Sequence, residues 1–242
     1  MKKETIYFVM PAYNEEANIR LVVDQWHPIL ERLEAMGICA RLAIANDGSK
    51  DGTYAILQNL QAEFPLLVPL DKPNSGHGAT VLFLYRYALE HGADYIFQTD
   101  SDGQTNPEEF LPMWEHRTDY DFQIGHRLGR QDGFGRVFVT KTLRIVVWLA
   151  FHAWVKDANT PFRLMKSDKL KPIMDVLPSD FFLSNVAISA IAVKWGYRIG
   201  WSRITFKPRQ GGVNSINMKR ICAIGWQAIG DFWFINKNLN KR

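Results

Sequence analysis

The N-terminal part of the chain alternates short apolar runs with longer amphipathic stretches. The apolar runs, which have the length and residue types of buried strands, are Thr5–Met10, Arg41–Ala45, Leu66–Leu70 and Tyr95–Thr99. Periodic apolar positions between these runs predict helices over residues 17–36, 54–63 and 79–91, the first stopped by Gly37. Strand, loop and helix repeated at this spacing predict an α/β fold with a mostly parallel sheet and helices on both faces.

A polar loop follows each predicted strand. The four loops are Pro11–Glu16, where Pro11 is expected to end the first strand, Asn46–Thr53, Asn74–Gly78 and Asp100–Gln104. The carboxyl ends of parallel strands share one edge of a sheet, and ligands bind beyond that edge. The pattern therefore predicts a single site at this edge, suited to a nucleotide or another phosphate-bearing ligand.

The last of these loops carries candidate metal ligands. Asp100 and Asp102 lie two residues apart just past a strand, so their side chains can converge on one point. Gln104 could add a third oxygen. Such oxygens suit a hard divalent cation such as Mg²⁺, which completes its shell with substrate phosphates. A polar turn without a metal is the alternative that the motif alone leaves open.

Composition sets broad limits on the class of protein. The 242 residues, 47% of them apolar, suffice for one large domain or two small ones with a real core. Cys39 and Cys222 lack metal or redox spacing, which favours free thiols in a reducing compartment. The first residues run directly into a strand pattern and do not resemble a secretory leader.

Charge is distributed unevenly along the chain. Residues 1–121 hold 9 Lys and Arg against 19 Asp and Glu, a balance of −10, whereas residues 122–242 hold 20 against 6, a balance of +14. The basic half is suited to anions, so nucleic acid, a phosphorylated substrate and an acidic membrane surface are all candidates. No nucleic-acid motif supports the first of these.

Two aromatic stretches in the basic half have cationic flanks. Leu143–Val155 and Ile221–Ile235 are too short to span a bilayer, which requires about 20 apolar residues. Their Trp residues and flanking Lys and Arg favour amphipathic helices that lie in a membrane interface. The alternative is that both helices pack on the core of the domain.

Several motifs together carry a family resemblance. They are Pro11-Ala-Tyr-Asn-Glu15, Asn46-Asp-Gly-Ser-Lys-Asp-Gly-Thr53, Asp100-Ser-Asp-Gly-Gln104, Gly125-His-Arg127, Asp157-Ala-Asn-Thr-Pro-Phe-Arg163, Gly196-Tyr-Arg-Ile199 and Lys207-Pro-Arg-Gln-Gly-Gly-Val-Asn-Ser215. In this order and spacing the chain resembles family 2 glycosyltransferases of the GT-A fold. Within that family it looks most like the dolichyl-phosphate mannosyltransferase, or polyprenyl-phosphate glycosyltransferase, group. The likeness is collinear over nearly the whole chain.

The resemblance implies a set of site residues. Those of the nucleotide-sugar pocket are Pro11, Ala12, Tyr13, Glu15, Asp47, Asp100, Ser101 and Arg136. Asp100, Asp102 and Gln104 would hold Mg²⁺ or Mn²⁺ against the diphosphate. Asp102, Arg127 and Arg209 would be catalytic, and the arginines, with Arg136, would contact the diphosphate or an acceptor phosphate through their guanidinium groups.

The resemblance also implies an activity and an organisation. We expect one continuous GT-A domain, with a nucleotide-sugar-binding half at 1–121 and an acceptor-binding half with amphipathic, membrane-facing C-terminal helices at 122–242. The expected reaction is metal-dependent, inverting transfer of a hexose from a UDP- or GDP-sugar to a polyprenyl phosphate, at the cytoplasmic face of the membrane. Alternatives are transfer to a glycan hydroxyl and a non-catalytic nucleotide-sugar binder. A homo-oligomer or a membrane-protein partner is possible, and nucleic acid is not expected.

Three departures from the family pattern bear on these expectations. Asn46 replaces an acid, the pair Thr160-Pro161 replaces a common Ser-Gly, and Ser184-Asn185 stands where relatives that glycosylate sugars carry a catalytic Asp or Glu. A sugar hydroxyl must lose a proton to attack, so a carboxylate base helps it, whereas a phosphate is already ionised. Asn185 therefore favours a phosphate acceptor and is expected to be dispensable for the chemistry.

Overall fold

A computed structural model describes residues 3–127, 145, 147–207, 230–237 and 239 of the chain. Its strands are β1 (Thr5–Ala12), β2 (Cys39–Asp47), β3 (Leu67–Lys72), β4 (Tyr95–Gln98), β5 (Phe122–Arg127), β6 (Arg163–Lys166) and β7 (Ile199–Ile204). Its helices are α1 (Ile19–Ala35), α2 (Thr53–Glu63), α3 (His77–Glu90), α4 (Phe110–Glu115, after the 3₁₀ turn Pro107–Glu109), α5 (Ser167–Met174) and α6 (Ser184–Lys194).

The described strands form one sheet in the order β3-β2-β1-β4-β6-β5-β7. The pairs β1–β2, β1–β4, β2–β3 and β5–β7 are parallel. β6 alone among them runs against its neighbours, β4 and β5. Helices cover both faces, with α3, α5 and α6 on one side and α1, α2 and α4 on the other. The predicted mostly parallel α/β sheet is therefore confirmed.

The four strands and three helices predicted for the N-terminal half are all present, with ends shifted by one or two residues. The prediction that Pro11 ends the first strand was wrong, since β1 continues to Ala12 and Pro11 lies opposite Ala45 of β2. On its other side β1 pairs with β4 only as far as Val9. Pro11 therefore sits beyond the end of β4, where a missing N–H does not interrupt a central ladder.

Three helices end in the same hydrogen-bonded turn. After α1, α3 and α6 the chain passes through Gly37, Gly92 and Gly196, all with φ between 71° and 85°. In each turn the residue after the glycine donates its N–H to a carbonyl five residues earlier, as Ile38 does to Leu33 at 3.0 Å. This arrangement closes a helix and needs a left-handed residue, which glycine adopts without strain. The three turns lead into β2, β4 and β7.

The two aromatic stretches are described in part. Helical residues occur at 147–151 and 230–237, and Phe151 meets Phe232 edge to face, with ring centroids 5.5 Å apart. The opposite sides expose large aromatic residues: Trp148 (47%), Trp154 (61%), Trp233 (62%) and Phe234 (63%). The described part of each stretch thus buries one side in the core and exposes the other. Among the described helices, none combines the length and apolar character needed to cross a bilayer.

Several predicted residues lie outside the described part of the chain. They are Arg136, Arg209, Cys222, the start of the Leu143–Val155 stretch and most of the Ile221–Ile235 stretch. Contact of either stretch with a membrane therefore stays a prediction.

Candidate functional site

A cleft of about 520 Å³ opens at the carboxyl edge of the sheet. It is lined by Pro11, Ala12, Tyr13, Glu15, Asp47, Asn74, Gly76, His77, Asp100, Ser101 and Asp102. The lining comes from the ends of β1 and β2 and from the loops that follow β1, β3 and β4, at the edge where the sequence placed its polar loops. All the described residues of the predicted nucleotide-sugar pocket lie in this cleft. Asn74, Gly76 and His77 were not predicted.

Asp47, the last residue of β2, holds the loop that precedes α3. Its Oδ1 accepts hydrogen bonds from Lys72 Nζ at 2.6 Å and from the Ser75 N–H at 2.9 Å. Its Oδ2 accepts from the Gly76 N–H at 2.9 Å. Burial disfavours the charged carboxylate, but the hydrogen bonds from Lys72, Ser75 and Thr80 outweigh it, so the pKa of Asp47 lies below its ordinary value. The carboxylate is therefore ionised and shapes the cleft wall.

Asn46, which stands where the family pattern has an acidic residue, forms a hydrogen bond with Asp71 of the neighbouring strand. Its Nδ2 donates to Asp71 Oδ1 at 2.7 Å, and the two residues lie opposite each other on β2 and β3. An aspartate at position 46 would place two carboxylates in contact in this partly buried pair. The amide therefore suits the acid that this chain carries on the neighbouring strand.

The loop after β1 is tied to the loop after β2. The Glu15 N–H donates to Thr53 Oγ1 and the Asn14 N–H to Ser49 Oγ, both at 2.9 Å. Asn14 adopts a left-handed conformation with φ 54°, which Asn tolerates better than most residues. These contacts fix the loop that carries Tyr13, whose ring stands at the cleft rim with 44% of its surface exposed.

The two candidate metal-ligating carboxylates lie in the cleft beyond β4. Ser101 between them donates its hydroxyl to the Pro11 carbonyl at 2.7 Å, and Asp102 Oδ1 accepts from the Gln104 N–H at 3.1 Å. Within the described ranges, no group of three or more His, Cys, Asp and Glu could hold a metal ion by itself. A pair of carboxylates fits Mg²⁺ or Mn²⁺ when substrate phosphates supply further oxygens.

His77 was left off the predicted set, yet it contacts a predicted ligand. Its Nε2 lies 3.1 Å from Asp100 Oδ1, and it is the first residue of α3. Partial removal from water in the cleft disfavours the imidazolium, but the hydrogen bond to Asp100 and the charges of Asp100, Asp47 and Asp102 outweigh that effect and raise the pKa of His77. A single His in a polar loop gives no sequence signal, and only the position of α3 beside β4 reveals the contact.

Gln104 lies next to this group but is not among the residues that line the cleft. Its Nε2 donates to the Lys207 carbonyl, and the Lys207 N–H donates to the Gln104 carbonyl, both at 2.8 Å. Gln104 therefore ties the loop after β4 to the segment after β7. Its role as a metal ligand stays a prediction.

Arg127, at the end of β5, also lies outside the cleft lining. Its Nε and Nη2 donate to the two carboxylate oxygens of Asp157 at 2.9 and 2.8 Å. The ring of Phe206 lies under its guanidinium, 5.2 Å from ring centroid to Cζ. The structure thus gives Arg127 an ion-pair partner that the sequence did not indicate.

Asn185 is buried in the first turn of α6. Its carbonyl accepts from Arg163 Nη1 at 3.1 Å and from Ser189 Oγ at 2.8 Å. Its side-chain Oδ1 is buried without a hydrogen-bond partner in the described part of the chain. An amide cannot act as the proton-accepting base that a carboxylate would provide at this position.

Sequence comparisons match most of the chain to known proteins. The family model "Glycosyl transferase family 2" matches residues 7–183. A polyprenol monophosphomannose synthase of Mycolicibacterium smegmatis is 24% identical over 222 residues, which cover 88% of this chain and 81% of the relative. A UDP-N-acetylglucosamine–dolichyl-phosphate N-acetylglucosaminyltransferase of Methanococcus voltae is 26% identical over 197 residues, 73% of this chain and 75% of the relative.

Solved structures resemble the chain in fold. The glucosyl-3-phosphoglycerate synthase of Mycobacterium tuberculosis, crystallised with Mn²⁺, UDP-glucose and phosphoglyceric acid, superposes with a TM-score of 0.69. The match covers 97% of this chain and 80% of that one at 16% identity.

The contacts of Asp47 predict a pH-dependent loss of stability in the variant Asp47→Asn. Because the folded-state pKa is below the ordinary 3.8, the carboxylate stabilises the fold above that value and loses this effect as the pH falls through the folded pKa. We expect the variant to unfold with about 2–3 kcal/mol less free energy at neutral pH. The deficit should shrink below about pH 4.

Urea unfolding of both proteins between pH 3 and 7 measures this difference. Asp24→Asn, which alters an exposed acid of α1, is the control and should show a much smaller deficit at every pH. A deficit for Asp47→Asn that does not change with pH would contradict the role assigned to its charge.

Proposed function

The chain belongs to glycosyl transferase family 2, and on that premise we propose that it moves a hexose from a nucleotide-diphosphate sugar to a polyprenyl phosphate. The observation that carries the proposal is the cleft at the carboxyl edge, where Asp100 and Asp102 lie beside Asp47 at the end of β2 and the loop that holds Tyr13. The M. smegmatis relative is named for the product polyprenol monophosphomannose, and the M. voltae relative for the acceptor dolichyl phosphate. Their names support the choice of acceptor.

A divalent metal, Mg²⁺ or Mn²⁺, is part of the proposal. Asp100 and Asp102 would hold it, and the carboxylate pair, with the diphosphate of the donor, offers the oxygens that such ions prefer. The solved neighbour contains Mn²⁺ together with UDP-glucose, which supports the same assignment. When bound, the metal would neutralise charge that develops on the leaving diphosphate.

The reaction proceeds by a single displacement. An oxygen of the acceptor phosphate forms a bond to the anomeric carbon, and the bond from that carbon to the diphosphate breaks, so the nucleoside diphosphate leaves with the electron pair. One displacement inverts the anomeric configuration. The phosphate oxygen carries no proton to be removed at neutral pH, so Asn185, in place of a carboxylate, is compatible with this acceptor.

Weak attachment to an anionic membrane completes the proposal. The exposed aromatic residues Trp148, Trp154, Trp233 and Phe234 project from two stretches that meet at Phe151 and Phe232. Residues 122–242 carry a balance of +14, and each Lys or Arg near an anionic surface contributes roughly 1 kcal/mol. An acceptor with a polyprenyl chain resides in such a surface.

A panel of acceptors tests the function. Purified protein with Mn²⁺ and either UDP-glucose or GDP-mannose is mixed with undecaprenyl phosphate, with undecaprenol or with an oligosaccharide. We expect a sugar-bearing lipid only from the phosphate, because the free alcohol lacks an ionised nucleophile. Product from the oligosaccharide would favour the glycan-hydroxyl alternative. Neither transfer nor slow donor hydrolysis would favour a non-catalytic binder.

Asp102→Ala tests the metal assignment. We expect metal-dependent donor affinity to fall by more than about tenfold, because one of two carboxylate ligands is lost. The melting temperature should stay close to that of the wild type, since Asp102 lies in a loop at the sheet edge. Titration calorimetry of the donor with and without Mn²⁺ measures the effect. Asp119→Ala, an exposed acid before β5, is the control, and unaltered affinity in Asp102→Ala would contradict the assignment.

Vesicle co-sedimentation tests the membrane part. We expect binding to anionic vesicles at low salt, weakened by high salt, and reduced in the variant Trp148→Ser/Trp233→Ser. Salt screens the charges but not the apolar term from the aromatic residues. Met36→Ser removes an equally exposed apolar side chain at the end of α1 and should bind like the wild type. Protein that stays in solution with anionic vesicles at low salt would refute the membrane part.

A further inference from the structure

The ion pair at the end of β5 is nearly enclosed. The side chains of Arg127 and Asp157 are only 7% and 9% exposed. Two parallel hydrogen bonds join them, from Nε to Oδ2 at 2.9 Å and from Nη2 to Oδ1 at 2.8 Å. The Arg127 backbone N–H also points to Oδ2, at 3.4 Å. Asp157 therefore contacts one edge of the guanidinium and the ring of Phe206 contacts one of its faces, and together they fix the guanidinium plane.

The pair lies beside the cleft rather than in it. In the sheet, β6 separates β5 from β4, and neighbouring strands are about 4.8 Å apart, so the two strands run about 10 Å apart. Gln98, the last residue of β4, and Ile124 of β5 both lie opposite Arg163, so Arg127 lies three residues beyond the level at which β4 ends. Both strands end at the same edge, because β6 runs antiparallel to each of them. Arg127 therefore lies beside the proposed donor cleft, at the same edge of the sheet.

The ion pair fixes the orientation of the Arg127 guanidinium but adds no net charge to the site. Arg127 and Asp157 cancel each other at long range, so attraction of an anion to this point must come from other cations of the basic half. At short range, a guanidinium offers five N–H groups in a rigid fork. Asp157 takes the edge formed by Nε and Nη2, which leaves the edge formed by Nη1 and Nη2 as the one that a phosphate can engage in the same two-point manner.

From this geometry we infer that Asp157 is a positioning residue for the transfer, one that orients Arg127 towards the acceptor phosphate. The inference rests on the proposed function, in which the acceptor is a phosphate. Asp157 itself does not touch the substrates. Its carboxylate holds the guanidinium at the angle from which the second edge of the fork meets the phosphate.

Asp157→Asn tests the inference. The amide keeps an oxygen that can accept from Arg127 but loses the charge and one of the two acceptors. We expect the KM for a short-chain prenyl phosphate to rise about tenfold or more, because the fork is no longer held. Donor-only hydrolysis and the affinity for the nucleotide sugar with Mn²⁺ should stay within about twofold. A merely structural role would lower both of these together with stability.

The matched control is Asp121→Asn. Asp121 lies directly before β5, at the opposite edge of the sheet, and its Oδ1 pairs with Arg198 Nη2 at 3.2 Å while its Oδ2 accepts from the Arg198 N–H at 3.0 Å. This variant weakens an ion pair at the other end of β5, between the residue before β5 and the residue before β7, far from the cleft. We expect a lower melting temperature and an unchanged KM for the prenyl phosphate.

Each outcome of the Asp157→Asn experiment either supports or overturns the positioning role of Asp157. A folded Asp157→Asn protein with an unchanged KM overturns the inference alone, and a lower KM does so too, because it would mean that Asp157 competes with the phosphate. Wild-type protein that transfers to no prenyl phosphate overturns the proposed function and the inference together.

A second variant covers the case in which Asp157→Asn does not fold. Arg127→Lys keeps the charge but loses the fork, so it should lose as much kcat/KM for the prenyl phosphate as Arg127→Met. An Arg127→Lys protein with the wild-type KM would show that charge alone suffices, and would overturn the inference.

Discussion

The guanidinium of Arg163 is fully buried at the start of β6, the reversed strand between β4 and β5. Burial lowers the pKa of Arg163, yet arginine stays charged in proteins, so the surrounding groups must satisfy its donors. The acceptors are the carbonyls of Ala158, Thr160 and Asn185 and the hydroxyl of Ser189. This one cation therefore fixes both the segment that carries Asp157 and the first turn of α6.

That constraint joins the two parts of the site. On one side of β6, the ends of β2, β1 and β4 form the cleft, where Asp47 and Lys72 hold the wall and Asp100 and Asp102 stand together. On the other side, β5 ends in the enclosed pair of Arg127 and Asp157. The proposed donor side is thus rich in carboxylates, and the proposed acceptor side contains the pair of Arg127 and Asp157. This division follows the acidic and basic halves of the sequence.

The sequence predicted the strands that have a clear apolar run and the helices whose apolar positions recur regularly. It also predicted the sheet edge at which the polar loops lie. It did not predict α6, because residues 184–192 are buried on every side and so lack an amphipathic pattern. It did not predict β6, because its four residues, Arg163–Lys166, have a charged residue at each end and lack the apolar run that marks β4. The pairs Asn46–Asp71 and Arg127–Asp157 depend on strand register and on contacts 25 and 30 residues apart, which no local motif records.

The turns at Gly37, Gly92 and Gly196 allow the loops of this fold to change in sequence while its strands stay in place. Each closes a helix through hydrogen bonds within a few residues and delivers the chain to the start of a strand, without help from the opposite edge. These helix ends are therefore determined by hydrogen bonds between residues close in sequence. The residues that bind ligands lie instead in loops at the sheet edge, which these turns do not require. Such loops can lengthen or exchange residues without moving the strands. A single scaffold can in this way be adapted to new sugars and acceptors by small, separable changes.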